Sequence, residues 1–192
     1  MQATTTSLAA TRRGLDEQLE EVDCLNEALD NLEQYTRKNS LDSLEFHGIP
    51  ENSYQSTEEA VLKLAAALDV QVAPSDFEMS HKLKSKRGDN VIIAKCCSHK
   101  IKTKLYKQRT RLKSIKYSDL FPGYAAAAAR FNDRLINENL TSYRRGLVDS
   151  ANKKRRDGCI HSIWTMDGKR FVKTSPEGNP VRIFTQDDLE SL

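Results

Sequence analysis

Two sets of residues in this chain could do chemistry: clustered arginines and lysines, and a pair of Cys-x-His triplets. The adjacent arginines Arg144 and Arg145 follow a strand-like stretch, Arg134-Leu135-Ile136-Asn137-Glu138-Asn139, and then Thr141. A threonine there suits a helix N-cap, because its hydroxyl accepts a backbone N–H that the first turn leaves unpaired. Leu140, Tyr143, Leu147, Val148 and Ala151 recur at helical spacing, which predicts a helix with one apolar face. The arginine pair falls in its first turn, where cations oppose the helix dipole and gain nothing locally. Such a pair is expected to serve a partner, and a phosphate backbone is the partner whose chemistry fits best.

Cys97-Ser98-His99 and Cys159-Ile160-His161 would together provide four zinc ligands. Their separation is long and no Cys-x-x-Cys accompanies them, so small buried cysteines, surface histidines and no metal are expected. The chain has no Gly-x-Ser-x-Gly, no phosphate-cradling glycine loop and no His-Glu-x-x-His. A binding protein without catalytic residues or a cofactor is the expectation.

Charge supports that expectation. The net charge of +3 over 192 residues conceals three zones. Residues 1–43 hold four Lys/Arg against nine Asp/Glu, residues 81–116 thirteen against one, and residues 130–156 eight against three. Basic zones this dense are the electrostatic footprint of a polyanion binder. No apolar run approaches bilayer length, so no membrane partner is expected. Met1 to Thr6 lacks the layout of a secretory signal, and Cys24, Cys96, Cys97 and Cys159 show no paired framework. An intracellular, reducing compartment, cytoplasmic or nuclear, is the expected setting.

These residues need elements to position them. Over residues 8–39, heptad positions a (Leu8, Leu15, Val22, Leu29, Thr36) and d (Thr11, Gln18, Leu25, Leu32, Asn39) predict a coiled coil with acidic outer faces at Glu20, Glu21, Asp30 and Glu33. The seam is expected to pair with copies of itself, as dimer or trimer; a helix folded back on the globular part is the other reading. A strand follows over 44–49, then a helix opened by Ser56 and Glu59 with Val61, Leu64, Ala65 and Leu68 on one face. Strands over 77–83 and 91–96 flank a basic loop at 84–90. Ser98 caps the next helix, with Ile101, Leu105 and Leu112 inward and Lys102, Lys104, Lys107 and Arg111 outward. With the strand at Ile136 the order is β-α-β-β-α-β, which predicts a split βαβ sandwich. Residues 114–132, with an alanine run at 125–129, are the least legible. The remainder predicts a small α+β unit: the helix from Ser142 to Arg156, a hairpin turning at Asp167-Gly168, a strand at 181–184 and a short last helix. The class is α+β, organised as coiled coil (1–43), sandwich (44–140) and C-terminal unit (141–192), with a basic cleft between the last two.

The run Tyr35-Thr36-Arg37-Lys38-Asn39-Ser40 followed by Leu44-Glu45-Phe46-His47-Gly48-Ile49-Pro50-Glu51 resembles the coil-to-domain junction of first open-reading-frame proteins of LINE-type non-LTR retrotransposons. Leu135 to Thr141, Arg144-Arg145 and Trp164-Thr165-Met166-Asp167-Gly168-Lys169 are similar to the C-terminal region of baculovirus few-polyhedra (FP) proteins. The resemblance covers residues 15–190. It implies a self-associating coiled coil, an RNA-recognition-motif-like domain and a small C-terminal domain that together clamp single-stranded RNA or DNA, with nucleic-acid chaperone activity. It places Arg37 and Lys38 at the basic pair before the first strand and Arg144-Arg145 at the pair opening the C-terminal helix. The chain departs from the pattern at Leu41-Asp42-Ser43, which reads as a three-residue insertion, and in a long segment from Phe121 to Asn132.

The residues add a mechanism. RNA-recognition motifs stack bases on aromatics of their central strands, yet Val91 to Cys96 contains none. Binding is therefore expected to rest on phosphate contacts from Arg37, Lys38, Lys102, Lys104, Arg134, Arg144, Arg145, Lys153, Lys154 and Arg155, salt-dependent and weakly selective. Tyr143 and Trp164 are base-stacking candidates, with core packing the stronger expectation for each. The competing reading is a coiled-coil adaptor whose basic zones serve only solubility.

Overall fold

A computed structural model describes residues 2–36, 41–84, 90–124 and 136–192. Arg37, Lys38, Asn39, Arg134, Leu135, most of the 84–90 loop and the alanine run lie outside them. The chain is α+β, with one long helix and two small antiparallel sheets.

Helix α1 runs from Gln2 to Thr36. Leu15, Val22, Leu25, Leu29 and Leu32 are each between 51% and 65% exposed, so the apolar stripe is not folded back onto the rest of the chain. The side chains of Leu8 and Thr36 are outside those described.

The first sheet is built from β1 (Ser43–His47), β2 (Phe77–Lys84), β3 (Asn90–Cys96) and β4 (Ile136–Glu138), in the order β2-β3-β1-β4 with every pairing antiparallel. Phe46 pairs with Ile92 on one side and Ile136 on the other. Period-two alternation turns Leu44, Phe46, Ile92, Ala94, Cys96 and Ile136 to one face. There they meet Ala60, Val61, Leu64 and Ala65 of α2 (Thr57–Ala67) and Leu105 of α3 (His99–Gln108) in the main core. Burial in that core pushes the Cys96 thiol up to about 12.

The helices start where the sequence says. The Ser56 hydroxyl accepts the Glu59 N–H at 3.1 Å, and the Glu59 carboxylate accepts the Gln55 N–H at 2.7 Å. The Ser98 hydroxyl accepts the Ile101 N–H at 3.3 Å. After α3 the chain tightens into a 3-10 segment over Arg109–Ser114 and a single turn, α4 (Tyr117–Leu120). Tyr117, Leu120 and Phe121 complete the main core from this least legible stretch.

The second sheet, β5-β6-β7, comprises Ser162–Met166, Lys169–Lys173 and Val181–Ile183. Asp167 and Gly168 both take positive φ, 52° and 74°, the handedness that a two-residue hairpin turn requires. Helices α5 (Ser142–Arg156) and α6 (Gln186–Glu190) pack on this sheet through Leu147, Ala151, Val172, Ile183 and Leu189. The buried face of α5 is Arg144, Leu147, Ala151 and Asn152, not the face expected through Tyr143, which is 58% exposed. Among the described residues, no helix is long and apolar enough to cross a membrane.

Candidate nucleic-acid interface

A cleft of about 540 Å³ lies between α3 and β5. Its α3 wall presents Lys100, Thr103, Tyr106 and Lys107, followed by Arg109; its β5 wall presents Trp164 and Met166. Lys100 and Lys107 are exposed, as is Lys104 on the same helix. The Arg109 guanidinium carbon stands 3.6 Å from the centre of the Tyr106 ring, which holds that cation at the rim by a cation–π contact.

Trp164 pairs across the hairpin with Phe171, their ring centroids 5.8 Å apart and planes 17° from parallel. Both rings are half-buried on the face opposite the second core, to which Val172 belongs. The expectation that Trp164 fills a core is therefore corrected. Strand alternation turns Ile163 toward the core and leaves the tryptophan at the cleft. Tyr143 is likewise outside the core, its hydroxyl donating to the Phe184 carbonyl at 3.2 Å.

The floor of the cleft is a polar tie between the two sheets. The Lys102 ammonium donates to Glu138 and, at 2.8 Å, to Asp167. Glu138 also accepts the backbone N–H groups of Asp167 and Gly168 at 2.8 and 3.1 Å, which pins the hairpin turn to β4. Tyr106 and Thr165 share a hydroxyl hydrogen bond of 2.6 Å. His99 adds contacts to Asp42 at 2.9 Å and Asp167 at 3.3 Å. Burial opposes the Lys102 charge, yet Glu138 and Asp167 together hold its pKa above the ordinary lysine value. Burial similarly opposes the Asp167 carboxylate, but Lys102, His99 and Lys169 hold its pKa below the ordinary value.

Two of the cations expected to face phosphate are thus turned inward. Lys102 is 1% exposed because α3 rotates it onto Glu138. Arg144 is 1% exposed, and its partner belongs to the chain itself. Its guanidinium donates to the Asp30 carboxylate at 2.7 Å, to Glu33 at 3.0 Å and to the Gly168 carbonyl at 3.4 Å. Arg145 stays half-exposed and donates to Glu45 at 2.5 Å. Lys153 and Arg155 are exposed in the last turn of α5, where the helix dipole favours cations, while Lys154 donates to the Leu189 carbonyl. None of the α5 cations lines the cleft. Arg37, Lys38 and Arg134 lie outside the described residues.

Asp30, expected on a solvated outer face, is the centre of a second constellation. Besides Arg144 it accepts from Arg170 at 3.2 Å and from Arg182. Arg170 also donates twice to the Ile183 carbonyl, at 3.0 and 2.8 Å. Burial holds the Arg170 guanidinium below its ordinary value; Asp30 opposes that shift and the neighbouring Arg144 and Arg182 reinforce it. The local signal on α1 was the spacing of Glu27, Asp30 and Glu33 at every third residue, which forms one stripe. Nothing near Arg170 or Arg182 in sequence identified them as its partners.

Cys97 and Cys159 are exposed rather than buried, and His99 is engaged by carboxylates. Among the described residues, no group of three or more His, Cys, Asp or Glu is arranged to hold a metal ion. The chain matches no protein-family model and no curated protein.

Proposed function

We propose that the chain binds single-stranded nucleic acid, RNA or DNA, along the cleft between α3 and β5, and self-associates through α1. The observation that carries this reading is the placement of Trp164, an aromatic outside the core, across the cleft from Lys100 and Lys107, with Lys104 exposed on the same helix. A lysine row tracks a phosphate backbone, and an exposed aromatic face stacks one base without selecting it. Duplex DNA keeps its bases stacked on each other and offers none to the indole.

The strand order β2-β3-β1-β4 and the β-α-β-β-α-β succession support an RNA-recognition-motif-like reading of the first unit. The departure is functional: bases go to the hairpin beside the sheet, because β3 has no aromatic to offer. The exposed stripe of α1 supports pairing of α1 with copies of itself, and several weak sites in one assembly gain affinity through avidity. On this reading the protein is a weakly selective, retrotransposon-type RNA-binding protein suited to chaperoning strands. The same exposed stripe would also serve an adaptor that recruits a helical partner.

Titration of a labelled single strand and of a duplex of equal length, at several salt concentrations, separates the two. The expected outcome is preference for the single strand, quenching of the one tryptophan, and a linear fall of log affinity with log salt. Replacing Lys100 and Lys107 by alanine lowers the slope by about 0.7 per cation removed. Trp164→Ala weakens binding by about 1–3 kcal/mol, the worth of one stacked base. No binding to either probe at moderate salt rules the nucleic-acid reading out and favours the adaptor.

A further inference from the structure

The attachment of α1 to the rest of the chain is electrostatic. None of its described apolar side chains belongs to either core cluster, and its described ion pairs run from Glu27, Asp30 and Glu33 to Arg182, Arg144 and Arg170. All three arginines come from the C-terminal segment (one from α5, one from β6, one from β7), and every carboxylate facing them in these pairs comes from α1. Asp30 supplies two oxygens to three guanidinium groups. The Arg182 Nε is buried with no hydrogen-bond partner, so the socket holds a donor that α1 does not satisfy. A phosphate group presents more acceptor oxygens than a carboxylate and suits convergent guanidinium groups.

We infer that the acidic stripe of α1 is a tethered competitor: Glu27, Asp30 and Glu33 occupy a three-arginine socket that takes a phosphate group of a polyanion when α1 leaves it. Departure of α1 uncovers no apolar core and frees three cations for the incoming ligand. Docking of α1 and anion binding at Arg144, Arg170 and Arg182 therefore exclude one another, and each weakens the other by the same factor. The inference rests on the nucleic-acid reading only for the natural source of the phosphate.

The test uses the full chain with inorganic tripolyphosphate and, separately, a labelled single-stranded oligonucleotide. Backbone hydrogen exchange of residues 27–36 is followed in both titrations. Saturation with tripolyphosphate is expected to speed exchange there, while exchange in α5 and β6 slows. Asp30→Ala is expected to tighten tripolyphosphate binding by about tenfold or more, as expected when the competent state rises from a minor fraction to the whole population. Glu33→Gln, which removes the charge facing Arg144 and leaves Asp30 in place, gives a smaller gain in the same direction and guards against a folding defect in the first variant. Unchanged exchange in 27–36 at saturation, or no tightening in either variant, overturns the inference. If the oligonucleotide binds while α1 stays protected, the cleft reading survives and the socket falls. If tripolyphosphate releases α1 and no oligonucleotide binds, the socket stands and the nucleic-acid reading falls.

Discussion

Replacing Lys102 by methionine tests whether the floor of the cleft is a structural tie or a ligand contact. The side chains of Lys102 and Glu138 are only 2% and 4% exposed, and methionine keeps most of the lysine's apolar stem. The substitution leaves the Glu138 carboxylate buried without its cation, a change that costs about 3–5 kcal/mol. Glu138 keeps the N–H groups of Asp167 and Gly168, which places the cost near the lower end, about 3 kcal/mol. For a chain of this size that lowers Tm by roughly 6–12 °C. Urea unfolding followed by Trp164 emission reads it directly, because the one tryptophan lies on the strand that the tie secures. A lysine reserved for phosphate predicts the opposite pattern: stability within about 0.5 kcal/mol of the parent and a salt slope reduced by about 0.7. Adding Glu138→Gln to the methionine variant removes the orphaned charge and should recover part of the loss, with a coupling of about 0.5–3 kcal/mol. A loss below about 1 kcal/mol for Lys102→Met, with no coupling, would refute the tie.

Three further outcomes are expected. Aspartates placed at both Leu25 and Leu29, two of the most exposed apolar residues of α1, should reduce the protein to a monomer in sedimentation velocity and make its unfolding midpoint independent of protein concentration. Gly168→Ala should cost about 1–3 kcal/mol in urea, since φ there is +74° and an added Cβ meets Nη1 of the Arg144 guanidinium, already hydrogen-bonded to Asp30 and Glu33, at 2.9 Å. The Lys102–Glu138–Asp167 tie should be insensitive to pH across the neutral range. Asp167 is depressed, so its contribution is complete above the ordinary carboxylate range and is lost as pH falls through the lowered value. Lys102 is raised, so its contribution is complete below the ordinary lysine range and is lost as pH climbs through the raised value. A Trp164 emission change with its midpoint near neutrality would contradict this.

The strands and caps were legible because they are local. Val91 to Cys96 is a β-rich run bounded by polar residues, and Ser98 and Thr141 stand where each helix needs an acceptor. Thr185 does the same for α6. Which cation turns inward was not legible, because the cause is remote. Lys102 finds Glu138 at a separation of 36 residues, and Arg144 finds Asp30 at 114. The local pattern even pointed the wrong way on α5. Tyr143 and Arg144 sit about 100° apart on the helix, and hydrophobicity alone assigns the tyrosine to the core. The acidic stripe of α1 reverses that ranking by offering the arginine buried carboxylates, while the tyrosine hydroxyl donates to the Phe184 carbonyl at the surface. Trp164 was misjudged for a related reason. Size favours burial, but the alternation of β5 had already committed Ile163 to the inner face.

The two stripes of α1 point to a division of labour along a single helix. Leu15, Val22, Leu25, Leu29 and Leu32 follow the seven-residue spacing of a seam, whereas Glu27, Asp30 and Glu33 lie on a separate stripe bound to the C-terminal arginines. Because the stripes do not overlap, self-association and docking are compatible, and a paired α1 would carry its C-terminal unit on the outside of the assembly. On the proposed reading, a tethered competitor returns once a departing ligand vacates the arginines. Its strength rests on ion pairs that are buried at Asp30, Arg144 and Arg170, which salt screens far less than it screens the exposed lysines of α3. On the proposed reading, raising salt weakens lysine contacts to phosphate more than it loosens α1. Changing Asp30 alone separates the two effects, strengthening the socket while leaving the lysines of α3 as they were.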